Sequence, residues 1–355
     1  MKRLYLILAI GGVFYALACL AQQAQSTGPY KVLKTAKTGG AGGFDYIYAD
    51  ADGRRLYIPR RNPSRIAVFN LDTLEPAGEI SNTGAAGAAV STKSGHGFAT
   101  SRPVAMWDTK TMMPIKTIDV QGGPDGILYD AFNDRVYILS HSAPNATVIN
   151  AADGSVLGTI DLGGAPEQAV TDGKGHIYVD IEDKANVAVV DAKTMAVTAH
   201  YDLAGKGGTC AGLALDVKNN ILFSACRNPQ TMVILNAGDG KILDTLPIGQ
   251  GTDGAVFNPS TMEAFSSQGD GTLTIVKENN PTSFVVEQTL QTMTGAKTLT
   301  LDSKTSRIFL MSVEYMPPAT TPEPAPAAAP GGRGGRGGGR GQQVPDSFTI
   351  VEVGK

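Results

Sequence analysis

One fifteen-residue phrase recurs about every forty residues along this chain. Its five clearest copies begin at residues 66, 104, 146, 187 and 232 and read IAVFNLDTLEPAGEI, VAMWDTKTMMPIKTI, ATVINAADGSVLGTI, VAVVDAKTMAVTAHY and MVILNAGDGKILDTL. Each copy predicts an alternating apolar strand, a polar hairpin rich in Asp, Thr or Gly, and a second short strand. Repetition at this period indicates a propeller or a solenoid, because one unit cannot bury its apolar face alone.

Seven units follow when the first strand of each repeat is aligned after its Gly-rich turn. These segments begin at Gly42, Thr83, Gly122, Gly163, Gly207, Gly249 and Thr294. Each is followed by a second strand and then by the two strands of the repeated phrase, which makes four antiparallel strands, or one blade. The sequence therefore predicts an all-β fold, a seven-bladed β-propeller.

The two ends of the chain are complementary. The seventh unit has predicted strands at Lys297–Leu301, Arg307–Ser312 and Ser347–Val353, and it lacks a fourth. The segment Tyr30–Thr35 matches the fourth-strand pattern and belongs to no other unit. We expect this N-terminal strand to complete blade seven and close the ring, which removes open sheet edges. A solenoid needs capping units instead, so the ends favour a ring.

The first residues differ in kind from the repeats. Lys2 and Arg3 precede an apolar run that ends at Leu20, followed by small residues at which a peptidase can cleave. This pattern predicts a secretory signal peptide over 1–21, with cleavage after Ala21, and one propeller domain over 22–355. A lipoprotein modified at Cys19 is the alternative. The expected location is periplasmic or secreted.

Charge and hydropathy exclude several classes of partner. Without Lys2 and Arg3 the chain has 28 basic and 33 acidic residues, a net charge of −5. This balance provides no cationic field for nucleic acid. No later segment reaches the roughly eighteen apolar residues of a membrane-spanning helix. We expect a monomer that engages a small polar ligand or a protein partner.

Residues 316–345 interrupt blade seven between its second and third strands. The segment is rich in Pro and Ala and then in Gly and Arg, with almost no apolar side chains, and it predicts disorder. The Gly/Arg run resembles segments that bind RNA and contains Arg333, Arg336 and Arg340. The negative net charge of the chain argues against that role. A tolerated insertion and a tether that reaches nearby acidic residues both stay open.

The third strands share the pattern V-x-V-[IV]-[DN], followed by a short hairpin and a fourth strand that resembles T-I. Val68–Asn70, Val148–Asn150, Val189–Asp191 and Ile234–Asn236 carry the motif. The repeats resemble the YVTN, or YncE-type, family of seven-bladed propellers of secreted bacterial proteins. The resemblance covers the chain outside the signal segment and the insert, and it implies a binding or scaffold role. Blade six departs from it at 275–280, and blade two has a degenerate first strand.

Strand direction decides which turns share one end of the propeller. The turn that enters strand one and the turn between strands two and three lie at the same end, here called the channel mouth, where ligand sites of closed β-structures tend to occur. The first strands bring these candidate ligand-binding residues there: Asp45, Asp125, Glu167, Asp253 and Lys297. The turns between strands two and three add Arg60, Arg61, Arg102, His141 and Arg227 as candidates, and also Glu182, Asp183 and Asp270.

The acidic residues at this end have two interpretations. Clustered carboxylates repel one another unless a metal, an amine or a proton lies among them, which predicts a site for a divalent cation or a polar ligand. Alternatively, each acid accepts hydrogen bonds from turn amides and only fixes a Gly-rich loop.

Catalysis is the alternative to binding. Seven-bladed lactonases use acids, His and Arg at the same end, and here the carboxylates would hold a divalent metal that activates water. Only one of the four histidines, His141, is expected at the channel mouth. The chain has no C-x-x-C-H, G-x-S-x-G or His-x-His motif. The sequence therefore favours binding without catalysis and without a cofactor other than a divalent cation.

Cys210 and Cys226 remain after removal of the signal peptide. Cys210 opens the first strand of blade five and Cys226 ends the second, and the hairpin between them turns near 217–219. Antiparallel pairing then joins residues whose numbers sum to about 436, as these two do. The register predicts a disulfide in an oxidising compartment, with two reduced thiols on adjacent strands as the alternative.

Overall fold

The computed structural model describes residues 28–317 and 341–355. Within these residues the chain forms seven four-stranded antiparallel sheets whose innermost strands contact one another around a ring. The prediction of an all-β, seven-bladed propeller is confirmed. No helix in these ranges is long and apolar enough to cross a membrane. The predicted signal peptide, Cys19 and the arginines of the insert lie outside the described residues.

The first four blades follow one another along the chain. Blade one contains β2 (Tyr48–Asp50), β3 (Arg55–Arg60), β4 (Arg65–Asn70) and β5 (Pro76–Ser81), and blade two contains β6 (Ala88–Val90), β7 (His96–Ala99), β8 (Val104–Asp108) and β9 (Pro114–Ile118). Blade three contains β10 (Pro124–Asp130), β11 (Arg135–Ser140), β12 (Asn145–Asn150) and β13 (Val156–Asp161), and blade four contains β14 (Pro166–Thr171), β15 (His176–Ile181), β16 (Asn186–Asp191) and β17 (Ala196–Asp202).

The remaining blades complete the circle. Blade five contains β18 (Cys210–Asp216), β19 (Ile221–Arg227), β20 (Gln230–Asn236) and β21 (Ile242–Pro247), and blade six contains β22 (Thr252–Asn258), β23 (Glu263–Gln268), β24 (Thr272–Asn280) and β25 (Ser283–Gln291). Blade seven contains β26 (Thr298–Asp302), β27 (Arg307–Ser312), β28 (Thr349–Gly354) and the N-terminal β1 (Lys31–Lys37).

The N-terminal strand closes the ring as expected. β1 pairs antiparallel with β28, from Lys31 opposite Gly354 to Lys37 opposite Thr349. It is therefore the outermost strand of blade seven, and the two ends of the described chain share one sheet.

The residues next to this pairing fasten both chain ends to blade six. Tyr30 donates its hydroxyl to the buried carboxylate of Glu263, and Lys355 Nζ lies 2.9 Å from the other oxygen of Glu263. The Gln288 side chain accepts a hydrogen bond from the backbone N–H of Tyr30 and donates one to its carbonyl. The Tyr30 ring packs edge-on against Phe265, with 5.2 Å between ring centroids.

Hydrophobic packing holds neighbouring blades together. Seven clusters of buried apolar side chains lie within the described residues, and each one lies between two adjacent blades. The cluster between blades seven and one, for example, contains Leu56 and Ile58 beside Phe309 and Ile350. Because each blade buries its two faces only against its neighbours, the repeats depend on the closed ring.

The recurrent Asp or Asn of the sequence phrase shapes the hairpin between strands three and four. Asn70 Oδ1 accepts hydrogen bonds from the backbone N–H groups of Asp72 and Thr73, both at 2.9 Å. Asp191 makes the same two bonds with Lys193 and Thr194. Such a side chain replaces a backbone turn and fixes the hairpin, which explains why this residue type recurs in the repeats.

The ends of the predicted insert are paired with each other. Tyr315 and Gln343 form an isolated antiparallel bridge, and the backbone N–H of Met316 bonds to the carbonyl of Gln342 at 2.7 Å. Most of the segment predicted to be disordered, 318–340, lies outside the described residues.

Cys210 and Cys226 are directly opposite each other in the pairing of β18 with β19. Their sulfur atoms form a disulfide that closes a loop with a sequence separation of 16. Both residues are fully buried in the cluster between blades four and five.

We predict that Glu263→Gln destabilises the ring by about 2 kcal/mol, since it removes a charged, buried partner of both chain ends. Urea unfolding at neutral pH measures the change. Lys304→Gln is the control, because it removes an exposed ion pair with Asp52 and should cost less than about 0.5 kcal/mol. Equal effects of the two substitutions would contradict a fastening role for Glu263.

Candidate functional site

A β-bulge in the first strand of several blades directs one side chain toward the channel mouth. The pairing of strands one and two shifts by one residue between Pro124 and Ile127, and again between Pro166 and Ala169 and between Thr252 and Gly254. The extra residues include Asp125, Glu167 and Asp253. A bulge leaves one residue outside the ladder and re-aims its side chain, so the repeat itself presents these acids at equivalent places.

The residues at or just past the end of the second strand form a second set at the same end of the propeller. The backbone N–H groups of Arg61, Glu182 and Arg227 bond to the carbonyls of Gly43, Ala165 and Thr209, which precede the first strands of blades one, four and five. This shared hydrogen bond makes the three residues structurally equivalent. The pairing of Ser140 with Pro124 puts His141 at the same place in blade three.

Ten side chains from six blades meet here, and we call them the mouth cluster. Its members are Asp45, Tyr46, Arg61, Asp125, His141, Glu167, Glu182, Arg227, Asp253 and Lys297.

Arg227 and Lys297 each connect acids of the two blades on either side of their own. Arg227 contacts Asp253 through one terminal nitrogen and Glu182 through the other, the latter at 2.7 Å. Lys297 Nζ contacts the second oxygen of Asp253 and lies 3.4 Å from Asp45 Oδ1. These side chains are mostly buried, so the ion pairs are screened less than pairs on the surface.

Arg61 continues this arrangement across blade two. Its Nη2 lies 3.6 Å from Asp45 Oδ2 and 3.5 Å from Asp125 Oδ1 in blade three. Blade two contributes only Gly87 at the equivalent place, where an added Cβ would lie 2.9 Å from Ile127. The absence of a side chain at Gly87 leaves the space through which blades one and three meet.

His141, Glu167 and Glu182 form the innermost group. His141 Nε2 lies 3.0 Å from Glu182 Oε2 and 3.5 Å from Glu167 Oε1. Tyr46 reaches from blade one to donate its hydroxyl to Glu167 Oε2 at 3.2 Å. One oxygen from each carboxylate and the imidazole nitrogen lie within 4.8 Å of one another, a spacing that a metal ion can bridge.

Burial changes the proton affinity of this group. It is the largest of the effects that raise the pKa of Glu167 to about 8, and the adjacent Glu182 is the next. The hydrogen bond to Glu182 raises the pKa of His141. Burial also raises the pKa of Asp45, while Arg61 and Arg227 oppose that shift. Near neutral pH the group therefore favours a protonated Glu167.

Two of the predicted site residues lie elsewhere. Arg60 is the last residue of β3 and directly precedes Arg61. It is fully buried, with its guanidinium 3.3 Å above the ring of Phe348, and it donates a hydrogen bond to the carbonyl of Ala41. Arg102 lies in the exposed turn after β7 and donates to the carbonyl of Gly122. Side chains alternate along a strand, so a shift of one residue sends a side chain to the other face.

The acids at this end of the propeller fall into two groups. Asp183 Oδ1 accepts a hydrogen bond from the backbone of Ala165, and Asp270 accepts bonds from the backbones of Gln250 and Thr272. These two acids fix turns. The acids of the mouth cluster instead contact Arg, Lys, His or Tyr side chains from other blades.

Tyr46 and Gln168 are functional candidates that sequence reasoning did not select. Gln168 Oε1 accepts hydrogen bonds from the backbone N–H groups of Leu213 and Ala255, at 3.1 and 3.0 Å. Its amide also donates to the carbonyl of Ala255 at 2.9 Å. Gln168 thus links the inner strands of blades four, five and six directly below the mouth cluster. Tyr46 directly follows the predicted Asp45, and Gln168 directly follows the predicted Glu167. This adjacency was the signal available in the sequence.

Known protein families and curated proteins provide no match to this chain. Solved structures do resemble it. The structure of U3-55K has a TM-score of 0.68 at 11% identity and covers 91% of this chain and 98% of its own. The WD40 repeats of RRP9 have a TM-score of 0.69 at 12% identity, covering 94% and 99%. A chain of the Mitotic Checkpoint Complex has a TM-score of 0.69 at 12% identity, covering 88% and 94%. At these identities the likeness shows the propeller fold alone.

We predict that alkaline pH destabilises the wild type more than Glu167→Gln. The folded-state pKa of Glu167 is raised, so its contribution to stability is present below the unfolded value of 4.5 and is lost as pH rises through about 8. His141 acts with the same sign. At pH about 9 the free energy of unfolding of Glu167→Gln should exceed that of the wild type by about 3 kcal/mol. At pH about 5 the two values should differ little.

Asp183→Asn is the control, because Asp183 is half exposed and caps a turn. Its stability should follow that of the wild type at every pH. Parallel curves for the wild type and Glu167→Gln would contradict a protonated Glu167.

Proposed function

We propose that this chain is an exported propeller of the YVTN/YncE type that binds a polar ligand or a protein partner at the channel mouth. One observation carries the proposal: six of seven blades direct ionic or hydroxyl side chains to one end of the ring. Burying charged groups is costly, and apolar residues of similar size often stabilise a fold as well or better. Because six blades place such groups at equivalent positions despite this cost, we infer that the groups recognise a ligand or a protein partner.

The mouth cluster suits a ligand that carries both charge and hydrogen-bonding groups. Arg61 is about half exposed, with 51% of its side chain accessible, and His141 is 29% exposed. These two groups can reach a ligand from solvent, while the more buried acids hold them in place. One similar fold belongs to the Mitotic Checkpoint Complex, which is consistent with use of a propeller as an interaction scaffold.

Two observations support export. The sequence of residues 1–21 predicts a signal peptide. The disulfide between Cys210 and Cys226 fits an oxidising compartment, because such bonds persist mainly outside the cytosol.

Metal-assisted hydrolysis is the second candidate function. It is favoured by the convergence of His141, Glu167 and Glu182, a set of ligands able to hold a metal that activates water. Turnover of simple lactones, abolished by a chelator and by Glu182→Gln, would support this candidate. Absence of turnover with added metal would leave binding alone.

We predict that charged small molecules stabilise the protein through the mouth cluster. The probes are spermidine, arginine, aspartate and succinate, each added during thermal unfolding. At least one should raise Tm by about 3 °C or more, which corresponds to about 1 kcal/mol of linked binding energy. Asp125→Asn and Arg227→Gln should remove the response, and Asp183→Asn should keep it. A response that survives both substitutions would contradict binding at this end.

We predict export with cleavage after Ala21. Expression of the full chain in a bacterium should yield periplasmic protein that begins at Gln22 and gains two hydrogens in mass on reduction. Cys226→Ser should lower stability by about 3 kcal/mol, the effect of opening a loop of this size. Retention in the cytoplasm with reduced thiols at Cys210 and Cys226 would contradict this part of the proposal.

A further inference from the structure

The mouth cluster has more acids than permanent cations. Its five carboxylates are Asp45, Asp125, Glu167, Glu182 and Asp253, and its three permanent cations are Arg61, Arg227 and Lys297. Five minus three leaves two negative charges without a permanent partner among these residues. Two protons or one divalent cation would balance them.

The excess charge is concentrated at one place. Asp45, Asp125 and Asp253 each contact an Arg or Lys side chain, and Glu182 contacts Arg227 through Oε1. Glu167 instead faces the imidazole of His141 and the hydroxyl of Tyr46. The group formed by His141, Glu167 and Glu182 is therefore where an added cation would compensate the most charge.

A buried acid below this group provides an independent indication. Asp180 is fully buried on β15, where it shares a strand face with Glu182, two residues later. Its Oδ1 accepts a hydrogen bond from Ser224, whereas Oδ2 has no hydrogen-bond partner among the described residues. A fully buried carboxyl oxygen that has no hydrogen-bond partner among the described residues thus lies on the strand that leads to Glu182.

Other residues fix the atoms that would bind a cation. Arg227 holds Glu182 Oε1, so that Oε2 faces His141. Tyr46 holds Glu167 Oε2, so that Oε1 faces His141. Each carboxylate presents one oxygen, and outer contacts of this kind orient metal ligands in proteins.

We propose that the channel mouth binds one zinc-like divalent metal ion through His141 Nε2, Glu167 Oε1 and Glu182 Oε2. The imidazole nitrogen favours a transition metal over calcium or magnesium. Three protein ligands leave a fourth position for water or for an anionic group of a ligand. The inference rests on the proposed function, since it assigns a ligand to the same mouth.

Isothermal titration of the mature protein with zinc chloride tests the proposal. The titration should give one saturable site per chain. Cobalt should bind in place of zinc and give the visible absorption of a four-coordinate site. This measurement uses the wild-type protein and requires no variant.

Matched variants locate the site. Glu182→Gln and His141→Gln should weaken zinc binding at least about tenfold. Asp183→Asn, beside Glu182 in the same turn, and His176→Gln, in a His–Asp pair in another turn, should leave it unchanged.

The outcomes separate this inference from the proposed function. Absence of saturable zinc binding, or binding lost in His176→Gln, would overturn the metal site. If the charged probes still stabilise the protein through Asp125 and Arg227 in that case, the proposed binding function stands alone. Zinc binding at this site with no response to any probe would support the metal site and count against a separate polar ligand.

Discussion

The pairing of β1 with β28 is the constraint on which the rest of the structure depends. It brings the two ends of the described chain into one sheet and joins blade seven to blade one, so that every blade has two neighbours. Tyr30 and Lys355 then meet on Glu263 of blade six, which fastens the closure from both sides. Without it, the circle of turns that forms the channel mouth would not exist.

A simple backbone device turns this scaffold into a site. A bulge in the first strand directs one side chain to the mouth, and the residue at the end of the second strand directs another. The repeat reproduces this arrangement in several blades. Chemistry then depends on which residue occupies each equivalent place. Gly87 provides space, Arg61 and Arg227 provide cations, and Glu167 provides a carboxyl group that retains its proton.

The fold could be predicted from the sequence because it depends on periodicity. The blade number, the closure and the pairing of Cys210 with Cys226 all follow from counting residues along strands and hairpins. The members of the mouth cluster were harder to predict from the sequence, because a difference of one residue in a turn decides which face a side chain takes. That is why Arg60 and Arg102 lie away from the cluster, while the reach of Tyr46 from blade one to Glu167 of blade four depends on contacts between distant blades.

Each permanent cation of the mouth is shared by two acids from different blades. Arg227 connects Glu182 with Asp253, Lys297 connects Asp253 with Asp45, and Arg61 connects Asp45 with Asp125. An anion that captures one guanidinium would thus release two carboxylates, and each of those would strengthen its hold on the next cation. Energetic effects of substitutions should be strongly non-additive along this chain of shared partners. The shared ion pairs run from blade four through blades five, six, seven and one to blade three.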